Sequence, residues 1–133
     1  MKATFEHVGI NTSGGDATAF HKEMLEFLEF GVVAGGEGWV GLSDGSFSIW
    51  ITPAQVEEHA YNRDAVGLNH LGLHVGSVGD VDRFVTEFLK PRGVTPILDS
   101  PRVLPGSESR PGIYYQVLFT DPDGQLIEVF HSE

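Results

Sequence analysis

The chain has 133 residues, which is enough for one domain with a substantial buried core. It contains no cysteine, so disulfides, thiolate nucleophiles and cysteine-ligated zinc are excluded, and any bound metal must have nitrogen and oxygen ligands. The formal net charge of −11 argues against nucleic acid as a partner. The polar N-terminal segment and the lack of a long apolar run favour a cytoplasmic protein without a membrane span.

The first predicted strand recurs in the second half of the chain. Residues 5–11 (FEHVGIN) and 68–74 (LNHLGLH) share the pattern apolar-x-His-apolar-Gly-apolar, with His7 and His70 at matching positions. Strand alternation places the histidine and the glycine of each copy on one face of the strand. Because an internal repeat indicates a repeated structural unit, the pattern predicts two similar modules.

An amphipathic helix is predicted after each of these strands. Apolar residues recur at helical spacing in both halves, with Asp16 or Ser13 as the first candidate cap and Asp80 as the second. Gly31 and the Pro91–Gly93 segment are predicted to end the two helices.

Three strand-like runs follow each helix, so each half has the order strand, helix, strand, strand, strand. The runs are 31–34, 39–42 and 47–52 in the first half, and 94–98, 113–120 and 125–131 in the second. The segment Asp121–Gly124 (DPDG) is typical of a hairpin turn, and Asp44-Gly45 is its counterpart. We expect residues 54–66 to link module 1 (about 1–53) to module 2 (about 67–133), and residues 100–111 to form a surface loop.

The last strand-like run carries a carboxylate, Glu128, between apolar residues. Burying a carboxylate is costly unless it is paired or binds a metal. Taken alone, Glu128 could face solvent, and His7 and His70 could be ordinary core histidines. Together, two histidines at equivalent positions of a repeat and one carboxylate form a set that suits divalent Fe, Mn, Zn, Ni or Co. Three protein ligands leave coordination positions open for a substrate.

These features resemble the vicinal oxygen chelate superfamily, which includes glyoxalases, extradiol ring-cleaving dioxygenases, fosfomycin-resistance thiol transferases and bleomycin-binding proteins. The resemblance covers the whole chain, and its most specific part is the DPDG-x-x-I-E-V ending, Asp121–Val129. It implies an α+β fold, in which two tandem βαβββ modules form a cupped mixed β-sheet with helices outside, as a single domain over 1–133. It also implies His7, His70 and Glu128 as the ligands of one divalent metal ion, and a homodimer.

The fourth ligand position of the glyoxalases does not carry over. Aligning Gly45 with Gly124 places Ile49 at the position of Glu128, between Ser48 and Trp50, and none of the three is a carboxylate. This counts against a true glyoxalase. Dioxygenases and fosfomycin-modifying enzymes resemble the three-ligand arrangement, whereas bleomycin-binding proteins lack metal ligands.

Two residues are candidates for proton transfer. His74 shares the face of His70 by strand alternation, and imidazole titrates near neutral pH. Tyr114 and Tyr115 are adjacent in a strand, so only one can face the site, and we take Tyr115 as the candidate. A solvated strand end is the alternative for His74. We also expect His21, His59 and His131 to be solvated, with His131 on the face opposite Glu128.

The sequence therefore predicts a metal-dependent enzyme whose small-molecule substrate chelates the metal through vicinal oxygens. A ring-cleaving dioxygenase is favoured slightly over an isomerase or lyase, with Trp39 and Trp50 among the aromatic residues available for a cavity. Fosfomycin modification is weakly supported, because only Arg102 and Arg110 are available to hold a phosphonate. The alternatives are a non-catalytic protein that binds a drug or metabolite and a degenerate interaction domain. The substrate and the metal stay open.

Overall fold

The computed structural model describes residues 1–56, 58–104 and 112–133. The chain forms two compact units, Met1–Ala60 and Tyr61–Glu133, which meet in sequence within the expected linker. Each unit has the predicted order of one strand, one helical segment and three strands, so the βαβββ repeat is confirmed. The strands form two four-stranded mixed sheets, one in each unit, so the α+β class with two mixed-sheet modules is confirmed.

The first unit contains β1 (His7–Thr12), α1 (Asp16–Phe27), β2 (Gly31–Gly36), β3 (Trp39–Ser43) and β4 (Ser48–Pro53). The strand order is β1-β4-β3-β2, with β1 parallel to β4 and the other pairs antiparallel. Helix α1 packs on one face of this sheet. The core between them is apolar and fully buried: Met24, Leu25, Leu42, Ile49 and Ile51. The opposite face carries His7, Gly9 and Asn11, which are exposed.

The second unit contains β5 (Leu71–His74), α2 (Val78–Arg83), β6 (Ile97–Leu104), β7 (Tyr114–Thr120) and β8 (Leu126–Ser132). The strand order β5-β8-β7-β6 repeats that of the first sheet, again with one parallel pair, β5 with β8. After α2 the backbone continues as a π-helical segment, Phe84–Leu89, and a 3-10 turn, Lys90–Arg92. The helical segment ends at Gly93, whose φ of 67° is left-handed and therefore favours glycine.

Three local expectations are corrected. The side chain that caps α2 is Ser77, which accepts a hydrogen bond from the Asp80 amide, because the helix begins three residues earlier than the apolar pattern indicates. In α1, Asp16 is the first helical residue and Gly15 occupies the cap position. Residues 100–104, expected in a loop, belong to β6, while residues 105–111 of that loop, including Arg110, lie outside the described part of the chain.

The DPDG turn is confirmed. The Asp121 carboxylate accepts hydrogen bonds from the Asp123 and Gln125 amides, and Gly124 has a left-handed φ of 81°. This turn fixes the antiparallel register of β7 and β8, which places Leu118 directly opposite Glu128. Within the described residues, no helix is long and apolar enough to cross a membrane.

Candidate metal centre

Strand alternation gives the second sheet one apolar face and one polar face. Val117, Phe119 and Val129 point to the first face, where Phe119 contacts Phe84 of the helical segment with ring centroids 5.5 Å apart. Glu128 points to the second face, together with every other residue of β8 counted from it and the β7 residues opposite them. The candidate site is therefore on the side of the sheet that the helical segment leaves open.

Glu128 is only 5% exposed, and both of its carboxylate oxygens have a polar neighbour. Its Oε2 atom lies 3.3 Å from His70 Nε2, and its Oε1 atom accepts a hydrogen bond of 2.8 Å from the Tyr114 hydroxyl. Gly72 is opposite Glu128 in the parallel β5–β8 pair, and a Cβ there would lie 3.4 Å from Oε2. The small residue in the His-apolar-Gly motif thus leaves room for this carboxylate.

The orientation of His70 is set by the residue before it. Asn69 Oδ1 lies 2.7 Å from His70 Nδ1, and the Asn69 amide nitrogen donates to the Arg63 carbonyl at 2.9 Å. Because the second contact needs the amide nitrogen, the oxygen is the atom that faces His70, and Nδ1 must be the protonated nitrogen. In neutral His70 the free lone pair is then on Nε2, the nitrogen that faces Glu128.

This arrangement calls for a cation between the two side chains. A neutral Nε2 lone pair and a buried carboxylate oxygen 3.3 Å apart repel each other. A proton on Nε2 or a metal ion bound by both atoms removes the repulsion. Imidazole nitrogen with carboxylate oxygen is a donor set that divalent transition metals accept, so the two residues fit the metal that the repeat predicts.

His7 repeats the orientation of His70 in the first unit. The carboxylate of Glu6, the preceding residue, contacts His7 Nδ1 through Oε2. The position before each histidine of the repeat therefore supplies a side-chain oxygen to Nδ1, which leaves Nε2 as the candidate ligand atom in both copies. The sequence contains this signal, because Glu6 and Asn69 are the x residues of the two apolar-x-His motifs.

The structure brings His70 and Glu128 together directly. Among the described residues, no group of three or more histidine, cysteine, aspartate or glutamate side chains is arranged to hold a metal ion. His7 lies at the start of β1 in the first unit, with a largely exposed side chain. Its role as a third ligand stays a prediction.

The tyrosine at the carboxylate is Tyr114, where we expected Tyr115. Tyr115 points to the other face of β7, and its hydroxyl donates to Asp82 of α2 at 2.7 Å. Burial, together with this hydrogen bond and the Asp82 charge, raises the pKa of Tyr115 to about 12. Alternation showed that only one tyrosine could face the site, but the choice depends on the register of the hairpin.

His74 lies on the expected face, two residues beyond Gly72 and opposite Phe130 in the β5–β8 register. Its ring contacts Phe130 at 5.2 Å and stacks on His131 at 5.6 Å. The Ser132 amide donates to His74 Nε2 at 3.4 Å, so Nδ1 carries the proton of the neutral ring. His74 is exposed, which fits both a proton-transfer group and a solvated strand end.

Two other histidines are buried, contrary to expectation. His131 lies on the face opposite Glu128, as predicted, but it is 8% exposed and contacts the Val75 carbonyl through Nδ1. His21 is 1% exposed in α1, with its ring edge against Phe20. His59 is exposed, as expected.

The strand registers correct the alignment of the two modules. Gly72 is opposite Glu128, and its counterpart Gly9 is opposite Trp50. Trp50, one residue beyond Ile49, is therefore the structural equivalent of Glu128. Ile49 points to the other face and is fully buried. The prediction that only one module carries the carboxylate is unaffected by this shift.

Sequence reasoning also missed Gln116. It lies opposite Phe130, between Tyr114 and Leu118 on the face of Glu128, and is only 5% exposed. Its place on the face of Glu128 makes Gln116 a candidate contact for a bound ligand. A glutamine inside an apolar run was the available signal.

Several solved structures have a fold similar to that of this chain. A Bacillus halodurans protein provisionally named a glyoxalase superimposes with a TM-score of 0.81, at 23% identity over 98% of this chain and 96% of that one. A glyoxylase/bleomycin resistance protein/dioxygenase domain from Frankia sp. EAN1pec gives 0.73, at 20% identity and 100% coverage of both chains. The chain has the fold of these glyoxalase/bleomycin resistance protein/dioxygenase structures. A glyoxalase/bleomycin resistance protein from Albidiferax ferrireducens T118 shares this fold, with a TM-score of 0.72 and 21% identity over 96% of this chain and 98% of that one.

No protein-family model matches the sequence, and no curated protein does. At identities near 20%, a shared fold does not specify the reaction. The reaction must be inferred from the residues of the site.

Proposed function

We propose that this protein is a divalent-metal-dependent enzyme that acts on a small substrate with two vicinal oxygens. His70 and Glu128 are two of its metal ligands, and His7 is the third. The observation that carries the proposal is the 3.3 Å approach of His70 Nε2 to the buried Glu128 carboxylate, with His70 Nδ1 held by Asn69. This geometry needs a cation, and the donor atoms suit a transition metal.

The neighbouring residues orient His70 and Glu128 for metal binding. A divalent metal bound there supplies a Lewis acid that polarises substrate oxygens. Tyr114 donates to Oε1 and so leaves Oε2 as the oxygen directed at His70. Asn69 fixes the His70 tautomer. His74 is the candidate for proton transfer through Nδ1, because its Nε2 already accepts from Ser132.

Ring cleavage of an aromatic diol is favoured over isomerase or lyase chemistry. The position of Glu128 is taken in the first unit by Trp50, so the equivalent positions offer one carboxylate and one aromatic ring. A four-ligand glyoxalase would have an acid at both positions. A three-ligand metal site suits a diol that coordinates through both oxygens, and aromatic side chains suit its ring.

Elemental analysis of the purified protein tests the metal site. We expect one equivalent of a transition metal per chain, or restoration to that level after incubation with Fe, Mn, Co, Ni or Zn. His70→Ala should lose the metal, while His59→Ala, a change at an exposed histidine of the linker, should keep it. Wild-type protein that binds no transition metal, or His70→Ala protein that binds it fully, contradicts the proposal.

The pH dependence of metal binding gives a second readout. Histidine coordinates only when it is neutral, so metal affinity should fall as the pH drops below about 6. Isothermal titration between pH 5 and 8 measures this effect.

We further propose a homodimer and test with it whether one chain or two chains supply the ligands. Mixtures of His7→Ala and His70→Ala protein regain metal if each site takes His7 from one copy and His70 from the other. They regain none if both histidines come from the same chain. Sedimentation analysis of the unmixed proteins establishes the oligomeric state.

The alternative function is sequestration of a drug or metabolite without turnover. The open aromatic positions of the first unit favour it, because they do not need a metal to bind a ring. Incubation of metal-loaded protein with a panel of catechols separates the two functions. Oxygen consumption supports the enzyme, whereas saturable binding of the same compounds without turnover supports sequestration.

A further inference from the structure

The two tryptophans of the chain lie together on the open face of the first sheet. Trp39 in β3 and Trp50 in β4 have near-parallel rings, with an interplanar angle of 25° and centroids 6.1 Å apart. The opposite face of these strands carries the buried Ile49 and Ile51. The indoles are therefore separate from the core, and Trp39 is 36% exposed.

Each indole lies against a glycine of the neighbouring strand. A Cβ atom on Gly41 would lie 2.7 Å from the Trp50 ring, and one on Gly36 would lie 2.5 Å from Trp39 Nε1. Distances below 3.0 Å do not occur for real Cβ atoms, so both rings depend on the absence of a side chain beneath them. The two near-parallel indoles lie on the glycines of the sheet, and we call this pair the indole platform (Trp39 and Trp50).

Space remains beside the platform. Gly9 is the other cross-strand neighbour of Trp50, and a Cβ built on it would meet no atom within 4 Å. His7 and Asn11 flank Gly9 on the same face of β1, and both are exposed. A planar molecule can thus contact the indole faces without displacing a side chain.

The charge of the first unit limits which rings can bind. Residues 1–60 contain nine acidic and two basic residues, a formal charge of −7, and one of the two bases, Lys22, is paired with Glu26. The π face of an indole also attracts cations. Both effects favour a cationic ring and disfavour an anionic one.

We propose that the indole platform is a binding site for a planar aromatic ring without negative charge, and that it binds a cationic ring most tightly. The site needs no metal, because its contacts are the faces of Trp39 and Trp50. The same chemical class of ligand is expected on this face whether the protein is an enzyme or a sequestering protein.

Tryptophan fluorescence tests the platform directly, since Trp39 and Trp50 are the only tryptophans in the chain. Three probes share one ring and differ in charge: N-methylnicotinamide (cationic), nicotinamide (neutral) and nicotinate (anionic). Excitation at the red edge of the tryptophan band, with free N-acetyltryptophanamide as the collisional control, isolates saturable quenching. We expect the cation to bind about two- to five-fold more tightly than the neutral probe, and the anion to bind most weakly.

Variants locate the binding to the platform. Trp50→Leu, followed through the fluorescence of Trp39, should weaken N-methylnicotinamide binding about ten-fold, and Trp50→Phe should weaken it less while preserving the packing. Phe5→Leu is the matched control, because Phe5 is an exposed ring of the same unit that stacks on Phe47. It should leave binding unchanged. The absence of saturable quenching, an anion that binds as tightly as the cation, or equal loss in Phe5→Leu overturns the proposal.

The same titration in the presence of a chelator, and with His70→Ala protein, separates this site from the metal centre. We expect ring binding to be unchanged in both. If the wild-type protein binds the ring but no transition metal, the platform stands and only the proposed enzyme is refuted. If the protein binds metal but shows no saturable quenching, the proposed enzyme stands and the platform is refuted.

Discussion

The two units place different side chains at the same position of the same framework. In each, the first strand carries His-apolar-Gly, and the glycine is opposite a residue of the parallel neighbouring strand. In the second unit that residue is Glu128, whose carboxylate is buried beside a histidine and a tyrosine hydroxyl. In the first unit it is Trp50, whose ring lies on Gly41.

The difference between the units lies in one side chain of a shared framework. The backbone and the oriented histidine are retained in both units, since Glu6 and Asn69 occupy the same place before His7 and His70. Only the residue opposite the glycine changes the chemistry, from a carboxylate that attracts a cation to an indole that offers a flat surface.

Glu128→Gln should have the largest effect. The amide keeps the shape of the side chain but removes the charge, and we expect metal affinity to fall by more than about 100-fold, beyond the loss typical of an outer-shell partner. Glu87→Gln is the control, because Glu87 pairs with Arg83 on the helical segment. Calorimetric titration with Zn²⁺ measures both, and similar losses in the two variants would refute the assignment.

Tyr114→Phe should weaken metal binding about 10- to 100-fold, as expected for a group that orients a ligand. The neighbouring change Tyr115→Phe is a close control, because it removes a hydroxyl from the same strand on the other face, where it contacts Asp82. Metal titration should separate the two variants. If Tyr115→Phe is the more damaging, the register of the hairpin is wrong.

Tyr115 should make stability sensitive to alkaline pH. Its pKa is raised to about 12 in the folded protein, so the folded state holds this proton more tightly than the unfolded state. The resulting stabilisation is complete below about pH 10, the ordinary tyrosine value, and is lost as the pH rises towards 12. Urea unfolding at pH 9 and pH 11 should show a smaller loss for Tyr115→Phe than for wild type. An equal loss of stability in the two proteins would mean that the Tyr115–Asp82 contact does not cause the pH dependence.

Gly41→Ala and Gly9→Ala should have the smallest effects and should differ from each other. Both glycines flank Trp50, but a methyl group on Gly41 collides with the indole, while one on Gly9 meets open space. We expect Gly41→Ala to shift the tryptophan emission and weaken ring binding, and Gly9→Ala to leave the emission unchanged. Identical spectra for the two variants would mean that the indole does not depend on Gly41.

The repeat made much of the fold predictable. The matched strands, the two apolar helical stripes and the DPDG turn each follow from local patterns, and all of them are present. Details that depend on register were not predictable. Whether Tyr114 or Tyr115 faces Glu128, and whether Ile49 or Trp50 matches it, changes with a shift of one residue, because successive strand residues point to opposite faces.

The pairing of His70 with Glu128 was predictable in part. The sequence indicated both residues, but the distance between them depends on β5 lying parallel to β8, which is a long-range contact. The burial of His21 and His131 was missed for a similar reason, since neither residue breaks the apolar pattern of its element clearly enough to reveal which face it takes.

A double-mutant cycle on His70 and Glu128 tests the central claim most directly. Cobalt(II) affinity is measured by absorption titration for wild type, His70→Ala, Glu128→Ala and the double variant. If both side chains hold one metal ion, each single change abolishes most of the binding and the double change adds little to it. Wild-type protein without saturable cobalt binding, or losses that simply add, would contradict a metal centre at this pair.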